Sequence, residues 1–166
     1  MLRDARSLLI NLADLDDKQA ITKTSLIYGQ EYMNKDTFNN RIGVFQTHDG
    51  AELVFYLDSF QHAFFRSKDR LLYPDDKSIF DRSRAERIRW IHLVVLAQFD
   101  SVECWECRGY GQAFDRRIYI YWEGQYIAWL KKRTRGGYKF ETAYCAPKEY
   151  LKRCVQHCRR IKIPRD

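Results

Sequence analysis

The sequence predicts an α+β protein in which helices pack on one face of a small antiparallel sheet. Four stretches carry that expectation. "RIGVFQTHDGAELVFYL" (41–57) alternates at Val44 and Gln46, turns at "HDG", and alternates again at Leu53, Phe55 and Leu57, as a hairpin does. "RRIYIYWEGQYIAWLKK" (116–132) reads as two aromatic strands around a Glu-Gly turn, and "YKFETAYC" (138–145) extends them into a meander. "KSIFDRSRAERIRWIHLVVLAQF" (77–99) carries the apolar stripe Ile88, Ile91 and Val95 of a helix.

The remaining elements follow in order. Residues 2–13 place Leu2, Ala5, Leu9 and Leu12 in a helical rhythm, whereas residues 18–40 are polar and give no clear assignment. "DSFQHAFFRSKDR" (58–70) suits a short helix or helical turn. The helix over 77–99 has two overlapping start signals, Ser78 with Asp81 and Ser83 with Glu86. Pro147 opens a C-terminal helix at a position that proline tolerates. Its apolar stripe would be Leu151, Cys154, Cys158 and Ile161.

Composition bounds the function. With 166 residues, 45% of them hydrophobic and only three prolines, the chain is expected to form one globular domain (1–166) rather than a disordered segment. Within it, 1–40 reads as an N-terminal helical extension and 41–166 as the core. The net charge of +7 suits a polyanionic partner, an acidic lipid surface or an acidic protein. No apolar run approaches the roughly 20 residues that span a bilayer, so no membrane is expected, and the five cysteines fit a reducing cytoplasm.

Five constellations carry the chemistry. Thr142 and Tyr144, two apart on one strand, share a face with Tyr138 and Phe140 and end just before a helix start; the plainer account is that Thr and Tyr favour strands. His62 is followed at four residues by Arg66, pairing a group that moves protons near neutral pH with one that grips phosphate. Arg84 falls on the apolar stripe of its helix, where a solvated charge does not belong, and Arg87 lies one turn on. "KKRTRGG" (131–137) contributes Lys132, Arg133 and Arg135 to a basic loop suited to a nucleic-acid backbone, or simply to solubility. Finally, Cys104, Cys107, Cys154, His157 and Cys158 include enough ligands for zinc, but the second group lacks a standard spacing. Buried thiols acting as small hydrophobes are the preferred account, with no metal and no cofactor.

Taken in order, "HAFFRSKDR", "FDRSRAERIRWI", "RRIYIYWEGQYIAWL" and "FETAY" resemble the phage-associated nuclease domains of the barnase, EndoU, colicin and RelE-like (BECR) superfamily. The resemblance covers about residues 42–150. It implies a four-stranded antiparallel sheet with a helical segment packed on it, and a toxin-like endoribonuclease that needs no metal. It also implies a site of His62, Arg84, Thr142 and Tyr144; by charge and spacing, Arg66, Arg87, Lys132, Arg133 and Arg135 are the residues expected to bind RNA. An immunity or antitoxin protein would be a further partner. RNA supplies its own nucleophile, the 2′-hydroxyl, so a base, a cation and hydrogen-bond donors suffice. The alternative is a non-catalytic nucleic-acid-binding or inhibitor protein, whose exposed aromatics stack on bases.

Overall fold

In the computed structural model, which describes residues 4–33, 44–109 and 113–165, the chain forms a curled mixed sheet of seven strands. Its strands are β1 (Val44–Gln46), β2 (Glu52–Val54), β5 (Val102–Cys107), β6 (Arg116–Tyr121), β7 (Tyr126–Lys132), β8 (Tyr138–Cys145) and β9 (Arg159–Ile161), in the order β1-β2-β8-β7-β6-β5-β9. A two-stranded ribbon pairs β3 (Phe65–Arg66) with β4 (Ile79–Phe80). The helices are α1 (Asp17–Tyr32), α2 (Asp58–Phe64), α3 (Arg82–Glu86), α4 (Trp90–Val95) and α5 (Lys148–Cys154).

This corrects the expected small four-stranded sheet covered on one face. The expected meander forms as β6-β7-β8, and the expected hairpin as β1-β2. However, β2 joins β8 in parallel, while β5 and β9 extend the other side. Both faces are covered because β6 is apolar on both. Tyr119 and Tyr121 point into the main core with α1, α3 and α4, whereas Ile118 and Ile120 pack with Leu151 of α5.

The helical expectations change too. Residues 5–8 form only a 3-10 turn, and the polar stretch after it becomes the 16-residue α1, started by an Asp16–Gln19 capping box. Far from being an appendage, α1 buries Ala20, Tyr28 and Tyr32 in the main core; the 40/41 boundary lies outside the described residues. The Tyr32 hydroxyl donates to the carbonyl of Ile88 at 2.6 Å in a fully buried setting. Tyr32→Phe is therefore expected to cost about 1–2 kcal/mol, seen as a lower denaturation midpoint at unchanged slope. Residues 77–99 are not one helix: Ile79 and Phe80 are in β4, Asp81 caps α3, and Arg87 leaves helical geometry before α4.

A bulge in β8 sets the site. Trp129 pairs with Thr142 but Leu130 pairs with Phe140, so Glu141 is an extra residue with no partner of its own. Side-chain parity flips there. Tyr138 and Phe140 face the main core and Ala143 joins them beyond the bulge, while Tyr144 lies with Trp129 on the α5 side. The four residues expected on one face thus fall two to each face.

The C-terminal helix stops at Cys154, and Cys158 belongs to the turn before β9, where a disulfide joins it to Cys107 of β5. Cys104 is buried in the main core, on the opposite face from Cys107. The thiols are therefore neither one helical stripe nor one ligand set. Among the described residues, no group of three or more His, Cys, Asp or Glu side chains is placed to hold a metal ion.

Candidate functional site

Beyond Lys139, β8 has outrun its neighbour β2, and α2 lies along the vacated edge. The Ser59 hydroxyl of α2 donates to the Phe140 carbonyl at 3.0 Å. This contact brings His62, on the same short helix, beside the bulge residue Glu141, and the two share the wall of one depression. Next to them opens a cleft of about 520 Å³. Its floor is Thr142, Tyr144 and Trp129, and its walls carry His62, Arg66 and Arg84. Arg70 and Lys77 complete the walls from the segment between β3 and β4.

Arg84 is fixed from four directions. Its backbone N–H donates to its own N-cap, Asp81, at 3.2 Å, and its Nε lies 3.4 Å from the same carboxylate. Nη1 reaches the Ala63 carbonyl at 3.4 Å, and the guanidinium lies over the Tyr144 ring, 4.9 Å from its centroid. Asp81 also holds Arg66 at 3.8 Å. The wall bearing Arg70 is a shaped turn: the Asp69 carboxylate accepts from Leu71 N and Leu72 N at 3.0 Å, and the Ser67 hydroxyl donates to the Tyr73 carbonyl. Leu71, Leu72 and Tyr73 stand exposed on its rim.

The cleft sets Arg66, Arg70, Lys77 and Arg84 against the carboxylates Asp75 and Glu141 in the same lining, with Asp81 paired to Arg66 and Arg84. Burial lowers the pKa of Lys77, and Arg84 and Arg70 lower it further, against Asp75. Burial likewise pulls the His62 imidazole below its ordinary value; Lys77, Arg84 and Lys139 add to the shift, against Glu141. Arg84 is lowered by burial and raised by Asp81. Arg70 is raised, chiefly by its hydrogen bond to Tyr150. Because each cation disfavours the charge of the others, a bound phosphate would stabilise all of them at once.

The hydroxyls differ. Tyr144 is engaged by Trp129 Nε1 and by the Tyr150 hydroxyl, each at 3.1 Å, and burial raises its pKa. Its ring lies beneath the Arg84 guanidinium. Thr142 Oγ1 is buried without a hydrogen-bond partner. Such an atom calls for an explanation, because leaving it unsatisfied costs about 1–3 kcal/mol.

The cleft thus gathers His62, Arg66, Arg84, Thr142 and Tyr144, and adds Arg70, Lys77 and Glu141, which sequence reading did not single out. It does not gather the rest. Arg87 turns back on its own helix, donating to the Ser83 carbonyl at 2.8 Å and lying over Trp90. Lys132 ends β7, and Arg133 and Arg135 lie in the turn that follows, at the other end of β8, where Arg133 pairs with Glu52 at 2.7 Å. Gly137, at φ +67°, lets that turn pass the Glu52 carbonyl, which a Cβ would meet at 2.6 Å.

Among the described residues no helix is long and apolar enough to cross a membrane. Comparison with protein-family models, with curated proteins and with solved structures finds no match. A functional reading of this chain therefore rests on the chemistry of the cleft.

Proposed function

We propose that the cleft binds the phosphodiester backbone of RNA and cleaves it by attack of the 2′-hydroxyl, without a metal ion. One observation carries this: His62, whose burial lowers its pKa, opens into the same cleft as Arg66, Arg70, Lys77 and Arg84. In this reading His62 accepts the 2′-hydroxyl proton, and Glu141 beside it stabilises the imidazolium that forms. The 2′-oxygen bonds to phosphorus, and the bond to the 5′-oxygen breaks with its electron pair. The leaving oxygen takes a proton from water, which the open cleft admits; the hydroxide so formed takes the proton from the His62 imidazolium, restoring the base, and a 2′,3′-cyclic phosphate remains. Arg84 neutralises the charge that builds on the phosphoryl oxygens. Thr142 donates to one of them after a single χ1 rotation, since more than one threonine rotamer suits a strand.

The test is incubation of purified protein with total RNA in excess EDTA. Fragments ending in 2′,3′-cyclic phosphate are expected, and 2′-O-methyl RNA of the same sequence should stay intact. Binding without cleavage would replace this reading with that of a non-catalytic RNA-binding protein.

A further inference from the structure

Trp129 borders two depressions, not one. On one side it floors the cleft, and on the other it lines a second hollow of about 370 Å³ together with Arg108, Gly109 and Arg116. The two share a wall as well: Arg116 Nε lies 3.5 Å from Glu141, which itself lines the cleft. The second hollow is shaped from within. The Asp115 carboxylate accepts from Gly109 N at 2.7 Å and lies 3.3 Å from Arg116 Nη1. Gly109 lets that carboxylate approach closely, since a Cβ would meet it at 2.3 Å and the Asp115 side chain would have to shift. Arg108 rests over the Phe114 ring at 4.7 Å, and no carboxylate among the described residues pairs with it.

The cation-walled cleft and a second hollow, where Arg116 is paired with Asp115 and Glu141 and Arg108 has no carboxylate partner among the described residues, lie on either side of one indole; that spacing matches the repeat of a single-stranded nucleic acid, phosphate–base–phosphate. Building on the RNA reading of the cleft, we infer that Arg108 and Arg116 form a second phosphate subsite and that Trp129 carries the intervening base. The ligand is then a single strand at least two phosphates long. A duplex, whose bases are stacked on one another, cannot offer a base to Trp129 without unpairing.

The test uses 2′-O-methyl oligonucleotides of one to six residues, which lack the free 2′-hydroxyl, and measures binding by fluorescence anisotropy. Affinity is expected to rise steeply once two phosphates are present, and a self-complementary hairpin of equal length should bind more weakly than the open strand. Arg108→Gln should weaken a tetramer roughly tenfold and reduce its log–log salt slope by about 0.7. Trp129→Leu should weaken it roughly tenfold or more, while Trp129→Phe, which keeps a stacking ring, retains most of the affinity. Length-independent binding, no binding, a hairpin bound as tightly as the open strand, or Arg108→Gln and Trp129→Leu proteins that bind as the parent does would each overturn the inference. The two ideas fail separately. If the oligomers behave as expected but natural RNA is not cut, the subsite stands and the nuclease reading falls; cleavage with these variants unaffected gives the reverse.

Discussion

Replacing His62 by glutamine is expected to lower the single-turnover rate of RNA cleavage by a factor of about 10²–10⁴ while RNA still binds. Glutamine keeps a polar group of similar reach but cannot accept a proton, and the cations that hold the phosphate remain. The pH profile sharpens the test. In the free protein the His62 pKa lies below the ordinary value of about 6.5, through burial and through Lys77, Arg84 and Lys139. The neutral, base-competent imidazole therefore prevails at pH 7 and is lost as pH falls through a value below 6.5. That value should appear as the acid limb of kcat/KM. A bound phosphate adds negative charge beside the ring and raises its pKa, so the acid limb of kcat should lie at higher pH than that of kcat/KM. Glutamine should abolish the limb altogether. A His62→Gln protein that cuts at the parent rate, or keeps the limb, removes His62 from the reaction.

Which parts of the molecule were legible in the sequence follows from how each part is specified. The β6-β7-β8 meander is specified locally, by aromatic and β-branched residues at period two, and it is visible in the chain. Helix α1 is not visible by hydropathy. Its buried positions are Ala20, Thr24, Tyr28 and Tyr32, a stripe at four-residue spacing whose hydroxyls count as polar although Thr24, Tyr28 and Tyr32 bond within the fold. The Asp16–Gln19 capping box was the signal that could have located it. β5 interleaves glutamates with its cysteines because Glu106 pairs with the buried Arg117 and with Arg159, so its alternation reads as polar.

At the site, His62, Arg66, Arg84, Thr142 and Tyr144 could be named by residue type and local spacing, and they do converge on one cleft. Glu141 could not, because its position depends on a bulge that exists only in the pairing of β7 with β8. Arg70 and Lys77 lie in a stretch with no periodicity, shaped by side chain-to-backbone hydrogen bonds from Ser67 and Asp69. The basic run at 131–135 misled for the opposite reason. Its charge is conspicuous in sequence, but a strand separates it from the cleft, and charge density says nothing about which end of a strand a site occupies.

Thr142→Val should separate function from stability, moving them in opposite directions. Valine has the shape and the strand preference of threonine and lacks only the hydroxyl. In the free protein that hydroxyl oxygen is buried with no partner, so removing it relieves a cost of about 1–3 kcal/mol. The variant is expected to denature at a higher midpoint than the parent. If the same hydroxyl donates to a phosphoryl oxygen as charge develops there, its loss should cost about 3–4 kcal/mol in the transition state, a hundredfold or more in rate. Thr142→Ser controls for the methyl group: it keeps the donor and should cut within a few-fold of the parent, at somewhat lower stability because the packed methyl is gone. A sheet residue with no other role predicts something different, a more stable Thr142→Val protein that cleaves at the parent rate. Measuring midpoint and rate on the same preparations decides between the two, because only a hydroxyl kept for a ligand makes the more stable protein the slower one.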